Sequence, residues 1–199
     1  MKLDNQLRIL IVGLGLMGGS YAQGLSRRGF HVKAIDTNPD SISFAEENGY
    51  IEKGFCEIDE NAVGEADIIV FALYPHVFVK WIEENQHLFK PGAVLTDVTG
   101  VKECVVYKIQ EMLRPDVEFI AAHPMAGREV YGVRNADESI FRDANYIIVP
   151  TDRNTVNAIE VCKAIGQTLE FNRISSLPPR AHDEMIGFVS QLTHCIAIC

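Results

Sequence analysis

Leu7-Arg8-Ile9-Leu10-Ile11-Val12-Gly13-Leu14-Gly15-Leu16-Met17-Gly18-Gly19 joins a continuous apolar run to a glycine-rich turn near the start of a 199-residue sequence. An apolar run without polar alternation suits a strand buried on both faces, the setting of a parallel sheet. The glycines end that strand and open a helix over 16–28, which Gly29 closes. Each glycine has its own reason. Gly13 makes the tight turn, Gly15 lets backbone amides approach a pyrophosphate, and Gly18 lets helix and strand pack closely. The helix N-terminus adds unpaired N–H groups and a favourable dipole for an anion. The pattern predicts a dinucleotide site contacted by Gly13, Leu14, Gly15, Leu16, Met17 and Gly18.

Outward from that turn, a second strand over 31–35 ends at Asp36, 23 positions after Gly13. A carboxylate there accepts from a ribose 2′-hydroxyl and repels a 2′-phosphate. Thr37 and Asn38 bring no arginine to neutralise such a phosphate, so NAD is expected rather than NADP. Asn38-Pro39-Asp40 starts a short helix that stops at Asn48-Gly49. Strands are predicted over 67–73, 93–97, 119–122, 146–149 and 168–171, and helices over 76–88, 101–113 and 155–165. This alternation predicts an α/β fold, a doubly wound Rossmann-type parallel sheet with ligands beyond the carboxyl ends of its strands. That location adds Leu73 and Thr99 to the expected cofactor contacts. The polar stretch 124–144 is long enough to suspect a functional loop. Leu177-Pro178-Pro179 breaks the alternation, and 180–199 read as helix. The expected division is a dinucleotide-binding domain over 1–175 and the beginning of an all-helical substrate and dimerisation domain over 176–199, unfinished at the last residue.

The 18 basic and 27 acidic residues give a net charge of −9, so the long-range field has the wrong sign for nucleic acid or an anionic membrane surface. Apolar runs such as Ile68 to Leu73 fall far short of the roughly 20 residues of a membrane helix. The first residues lack a secretory signal. Cys56, Cys104, Cys162, Cys195 and Cys199 contain no Cys-x-x-Cys pair, which fits reduced thiols in a cytoplasmic protein and predicts no metal site.

His123 leaves the strand 119–122 at its carboxyl end, where an imidazole with an ordinary pKa near 6.5 is placed to accept a proton. His182-Asp183 lacks the further His and Asp motifs of a metal-dependent phosphohydrolase, and an orienting or helix-starting role is expected for it.

Gly-Leu-Gly-Leu-Met-Gly-Gly-Ser at 13–20, Thr-Asp-Val-x-x-Val-Lys at 96–102 and His-Pro-Met-Ala-Gly-x-Glu at 123–129 occur in this order. His182-Asp183 and Ser190-x-Leu192-x-His194 follow them. Together these segments resemble the prephenate/arogenate dehydrogenase family along essentially the whole sequence. The resemblance implies NAD-dependent oxidative decarboxylation of an anionic cyclohexadienyl acid, prephenate or arogenate, giving 4-hydroxyphenylpyruvate or tyrosine. It implies that His123 bonds the 4-hydroxyl and takes its proton, that Thr99, Gly127, Arg128 and His194 meet the substrate, and that the protein is a homodimer.

Departures from the family pattern bear on those contacts. Gly100 stands where the family usually has a serine, and Thr99, one residue earlier, offers a hydroxyl in its place. Arg128 stands where a threonine is usual; its guanidinium either reaches a substrate carboxylate or pairs with Glu129 or another acid. Gln191 and Thr193 are also substitutions. In an acidic chain, Arg128 and Lys102 are the local cations an anionic substrate is expected to find. Two other readings remain: an NAD-binding module without turnover of its own, and a dehydrogenase of the β-hydroxyacid type, against which the His-Pro-x-Ala-Gly block argues.

Overall fold

The computed structural model describes residues 3–192, with side chains to 189. Five strands of its main sheet are β1 (Arg8–Val12), β2 (His31–Ile35), β3 (Lys53–Phe55), β4 (Ile68–Phe71) and β5 (Val94–Asp97). With β6 (Glu118–Phe119) they form a six-stranded parallel sheet in the order β3-β2-β1-β4-β5-β6. The order reverses between β1 and β4, so the crevice beyond their carboxyl ends is the expected ligand position.

Alternation along β1 explains why both faces are covered. Ile9 and Ile11 point to one core with Val32, Ala34 and Val70, while Leu10 and Val12 point to the other with Ile69, Phe71 and Leu95. The first core is roofed by α1 (Leu16–Arg27) and α6 (Val156–Thr168) through Tyr21, Ala22, Leu25, Val161 and Ile165. The second is covered by α3 (Glu60–Glu65), α4 (Pro75–Asn85) and α5 (Glu103–Met112) through Val63, Phe78, Ile82 and Ile109. The helix α2 (Pro39–Glu47) is capped by Asn38, whose Oδ1 accepts from the Asp40 N–H.

Two expectations are corrected. The strand 119–122 is two strands in different sheets: β6 stays with β5, whereas β7 (Ala121–Met125) pairs antiparallel with β8 (Asn145–Val149). The change occurs because the Ala122 N–H is accepted by the Asp97 side chain at 3.1 Å, ending the parallel ladder. The segment 168–171 is not a strand. Helix α6 runs on to Thr168, Glu170 turns the chain at φ 61°, and Phe171 packs on Phe141 and Tyr146. The strand comes next, as β9 (Arg173–Ser176), parallel to β8. The short β3 and α3 carry no strong pattern in the sequence. The small second sheet continues both cores, with Tyr146 and Ile148 on one face and Ile147 and Val149 on the other. That continuity is why its residues read like more of the same sheet.

Helix α7 (Pro179–Ile186) starts on the second proline and continues as a π-helical stretch over Gly187–Leu192. No helix among the described residues is long and apolar enough to cross a membrane. His194, Cys195 and Cys199 lie outside the described residues.

Candidate active site

Two cavities adjoin at the carboxyl ends of β1, β4 and β5. The first, about 430 Å³, is lined by Gly13, Gly15, Leu16, Met17, Gly18, Asp36 and Leu73, with Val98 and Tyr131. Gly13 adopts φ +98°, and a Cβ there would stand 2.6 Å from the Ala72 carbonyl oxygen. A Cβ on Gly18 would fall 1.8 Å from the Gly13 oxygen, so only glycine lets this helix start so close to the strand. Gly15, by contrast, faces open space. It precedes α1 without any side-chain cap, leaving the first-turn N–H groups available to a ligand anion. The residues therefore fit a dinucleotide pyrophosphate. Asp36 Oδ2 accepts from the Leu14 N–H at 2.6 Å, and Oδ1 accepts from the Asn38 N–H at 2.8 Å. Leu14 contributes that backbone group, while its side chain is buried in the core.

The second cavity, about 460 Å³, is lined by Pro75, Gly100, Val101, His123, Asp183, Ile186 and Gly187. His123 is held there by a buried clamp at the end of β5. Lys102 is fully buried, and its Nζ donates to Asp97 Oδ2 at 2.7 Å and to the Ala122 carbonyl at 2.6 Å. The Asp97 carboxylate also accepts from the Ala122 and Thr99 N–H groups and from the Thr99 hydroxyl. Burial with these partners satisfies both charges. It also joins the backbone beside His123 to the β5–α5 connection.

This clamp corrects two sequence expectations. Lys102 is not a cation for a substrate. The Thr99 hydroxyl turns inward to Asp97 and the Val101 carbonyl, so it lines neither cavity and does not replace the missing serine. The serine position faces the histidine: a Cβ on Gly100 would lie 3.7 Å from His123 Nε2.

His123 Nδ1 lies 2.9 Å from His182 Nε2, and His182 Nδ1 lies 2.7 Å from Asp183 Oδ1. Asp183 also accepts from the N–H groups of Lys102 and Glu103, each at 2.9 Å, which joins α7 to the start of α5. Burial lowers the His123 pKa to about 3, helped by the positive charge of Lys102 and opposed by Asp183. Burial also lowers the pKa of His182 despite its bond to Asp183. Burial works against the Asp183 carboxylate, but the Glu103 N–H, His182 and the Lys102 N–H outweigh it and hold its pKa below the usual value. His123 is thus a neutral imidazole at physiological pH, able to accept a proton.

Arg128 lines the glycine-loop cavity and donates to Asp137 at 3.1 Å, which realises the acid-paired alternative. Gly127 lines neither cavity. The stretch 124–144 is fixed on α1: the Asp137 N–H donates to Ser20 Oγ, and the Glu138 carboxylate pairs with Arg27 and Arg28. Sequence reasoning missed Tyr74, Val98 and Tyr131 as cleft residues, since an apolar or aromatic residue in a connecting segment carries no distinguishing signal. A third cavity, about 350 Å³, opens at the amino ends of β1 and β2, where Arg8 and Lys33 both pair with Glu65. It lies at the wrong end of the sheet for a ligand of this fold.

Residues 21–170 match the family described as prephenate dehydrogenase, nucleotide-binding domain. Prephenate dehydrogenase of Bacillus subtilis is 30% identical over 200 residues, covering 97% of this chain and 53% of that protein. The chain spans about half the length of the curated relatives it matches first. The structure of Aquifex aeolicus prephenate dehydrogenase in complex with hydroxyphenyl propionate and NAD+ is similar with a TM-score of 0.87 and 28% identity, covering 99% of this chain and 68% of that one. Synechocystis arogenate dehydrogenase is similar with a TM-score of 0.86 and 26% identity, covering 94% and 65%.

Proposed function

Since the chain belongs to the prephenate dehydrogenase family through its nucleotide-binding domain, we propose that it carries the NAD site and the proton acceptor for oxidative decarboxylation of prephenate or arogenate. One observation carries this reading: the neutral His123 opens into a cavity adjoining the glycine-loop cleft, at the sheet end where this fold binds its ligands. In the cleft, the uncapped start of α1 receives the pyrophosphate, and the Asp36 carboxylate receives the adenosine ribose. Bound NAD supplies the hydride acceptor. His123 Nε2 bonds the substrate 4-hydroxyl and takes its proton as that carbon loses hydride and becomes a carbonyl. The ring carboxyl then leaves as CO₂, its bonding pair makes the ring aromatic and the carbonyl oxygen a phenolate, and the proton returns from His123 to give the phenol. Within this reading, 1–175 are the dinucleotide-binding domain and 176–199 begin a helical substrate and dimerisation domain, whose α7 brings Asp183 to the cavity and His182 to His123. The family resemblance further implies a cytoplasmic homodimer.

Titration calorimetry with NAD, followed by turnover assays on prephenate and on arogenate, tests the proposal. His123→Asn is expected to retain NAD affinity within about twofold and to lose roughly 10²- to 10⁴-fold in turnover, the usual contribution of a positioned base. Absence of NAD binding, or near-normal turnover by the variant, would overturn it.

A further inference from the structure

Among the described residues, His123 is anchored from one side only. Gly100 presents no side chain to Nε2, the neighbouring Thr99 hydroxyl is turned to Asp97, and among the described residues no hydrogen bond forms at Nε2. The anchored atom is Nδ1, and its partner is the fully buried His182.

The order of donors along this chain follows from Asp183. A carboxylate only accepts, so His182 Nδ1 donates to Asp183 Oδ1. Burial keeps His182 neutral, so its other nitrogen, Nε2, is an acceptor. His123 Nδ1 must then carry the proton and donate to it, which leaves the Nε2 lone pair facing the cavity. Asp183 is itself held by the N–H groups of Lys102 and Glu103, so the far end of the chain is pinned by a helix start.

We propose that the Asp183–His182 pair is the positioning device of His123, selecting its Nδ1–H tautomer so that Nε2 is the proton acceptor in the cavity. The proposal deepens the functional reading above and rests on it for the identity of the base. When Nε2 takes a hydroxyl proton, its lone pair forms the new N–H bond and the hydroxyl O–H bond breaks. The resulting imidazolium still donates from Nδ1 to His182, and the Asp183 carboxylate lies at the end of the chain to balance the charge. Lys102 opposes that protonation from the α5 side, with Asp97 paired to it. His182 and Asp183 therefore have a role that capping a helix does not require.

The tautomer is read without turnover. Side-chain nitrogen shifts and two-bond ¹⁵N–¹H correlations of the uniformly ¹⁵N-labelled 199-residue chain at pH 7 are expected to show His123 with protonated Nδ1 and unprotonated Nε2. His182→Phe removes the acceptor and is expected to shift His123 towards the Nε2–H form. His182→Gln, which keeps an acceptor oxygen, is expected to retain the Nδ1–H form at least in part. In the protein that turns over substrate, His182→Phe should lower kcat by roughly 10²-fold with little change in KM, because the wrong tautomer has no lone pair to offer. A wild-type His123 protonated at Nε2 overturns the proposal whatever the variants do. So does an unchanged tautomer in a folded His182→Phe protein. If the tautomer is as expected but His123→Asn turns over normally, the function assigned to His123 fails while its positioning stands.

Discussion

The two adjoining cavities are nearly equal in volume, about 430 and 460 Å³, yet they are built by opposite means. The glycine-loop cleft is shaped chiefly by side chains that are absent, with a helix start supplying its polar groups from one short stretch of backbone. The His123 cavity is shaped by side chains that are present and mutually dependent. Residues 97, 99, 102, 123, 182 and 183 come from three separate parts of the sequence and bond one another. A backbone-built cleft should fail by steric intrusion, and a network-built one by loss of a partner.

The largest expected effect strikes the network. Lys102→Met leaves the buried Asp97 carboxylate without its cation and frees the Ala122 carbonyl next to His123. Removing one partner of a buried ion pair costs about 3–5 kcal/mol, because the remaining charge stays desolvated. Urea unfolding would measure this, and adding Asp97→Asn to Lys102→Met should recover a substantial part. A loss below about 1 kcal/mol would mean that the clamp is not what holds this end of β7.

The cleft makes the complementary case. Gly18→Ala forces a Cβ against the Gly13 oxygen and should cost about 1–3 kcal/mol, as overpacking does. Gly15→Ala meets nothing within 4 Å and should change stability by no more than about 0.5 kcal/mol. Its methyl would instead enter the ligand space, weakening NAD binding by about tenfold in calorimetry. Equal stability losses in the two variants would erase the distinction between a packing glycine and a ligand-facing one.

The same contrast explains what could be read from the sequence. The cleft was legible because its determinants are local: strand, glycines, helix and Asp36 occur within 30 residues of chain, at spacings set by backbone geometry. His123 was legible as a candidate base, but its place was not: it sits in the middle of β7, paired with Ile147, rather than at the carboxyl end of a strand. Its surroundings were only partly legible. Lys102 and Thr99 look available in sequence because nothing local shows that Asp97 gathers both inside. His182-Asp183 was noticed as a pair, but the distance of 59 residues between His123 and His182 hides their contact. The split between β6 and β7 escaped for a related reason, since a side-chain acceptor from another strand ends the ladder there. At 168–171, the β-like composition lost to the packing of Phe171 in the core.

Asp36 crosses the line between the two building modes, and its substitution gives the smallest and most discriminating effect. It is a side chain in a backbone-built cleft, and its two oxygens already accept from the Leu14 and Asn38 N–H groups. A fall in NAD affinity on removing it therefore has two sources: a lost ribose acceptor, and a glycine loop released from β2. Asp36→Asn removes the charge and keeps one acceptor oxygen; Asp36→Ala removes both functions. Each lost neutral hydrogen bond is worth about 1 kcal/mol, so the alanine variant should be the less stable of the two in urea. If charge sets the preference for NAD over NADP, the ratio of the two affinities should narrow about equally in both variants, because both end the repulsion of a 2′-phosphate. If loop anchoring sets it, the ratio should narrow in Asp36→Ala alone. An unchanged ratio in both would remove Asp36 from cofactor selection and leave it as a strut of the loop.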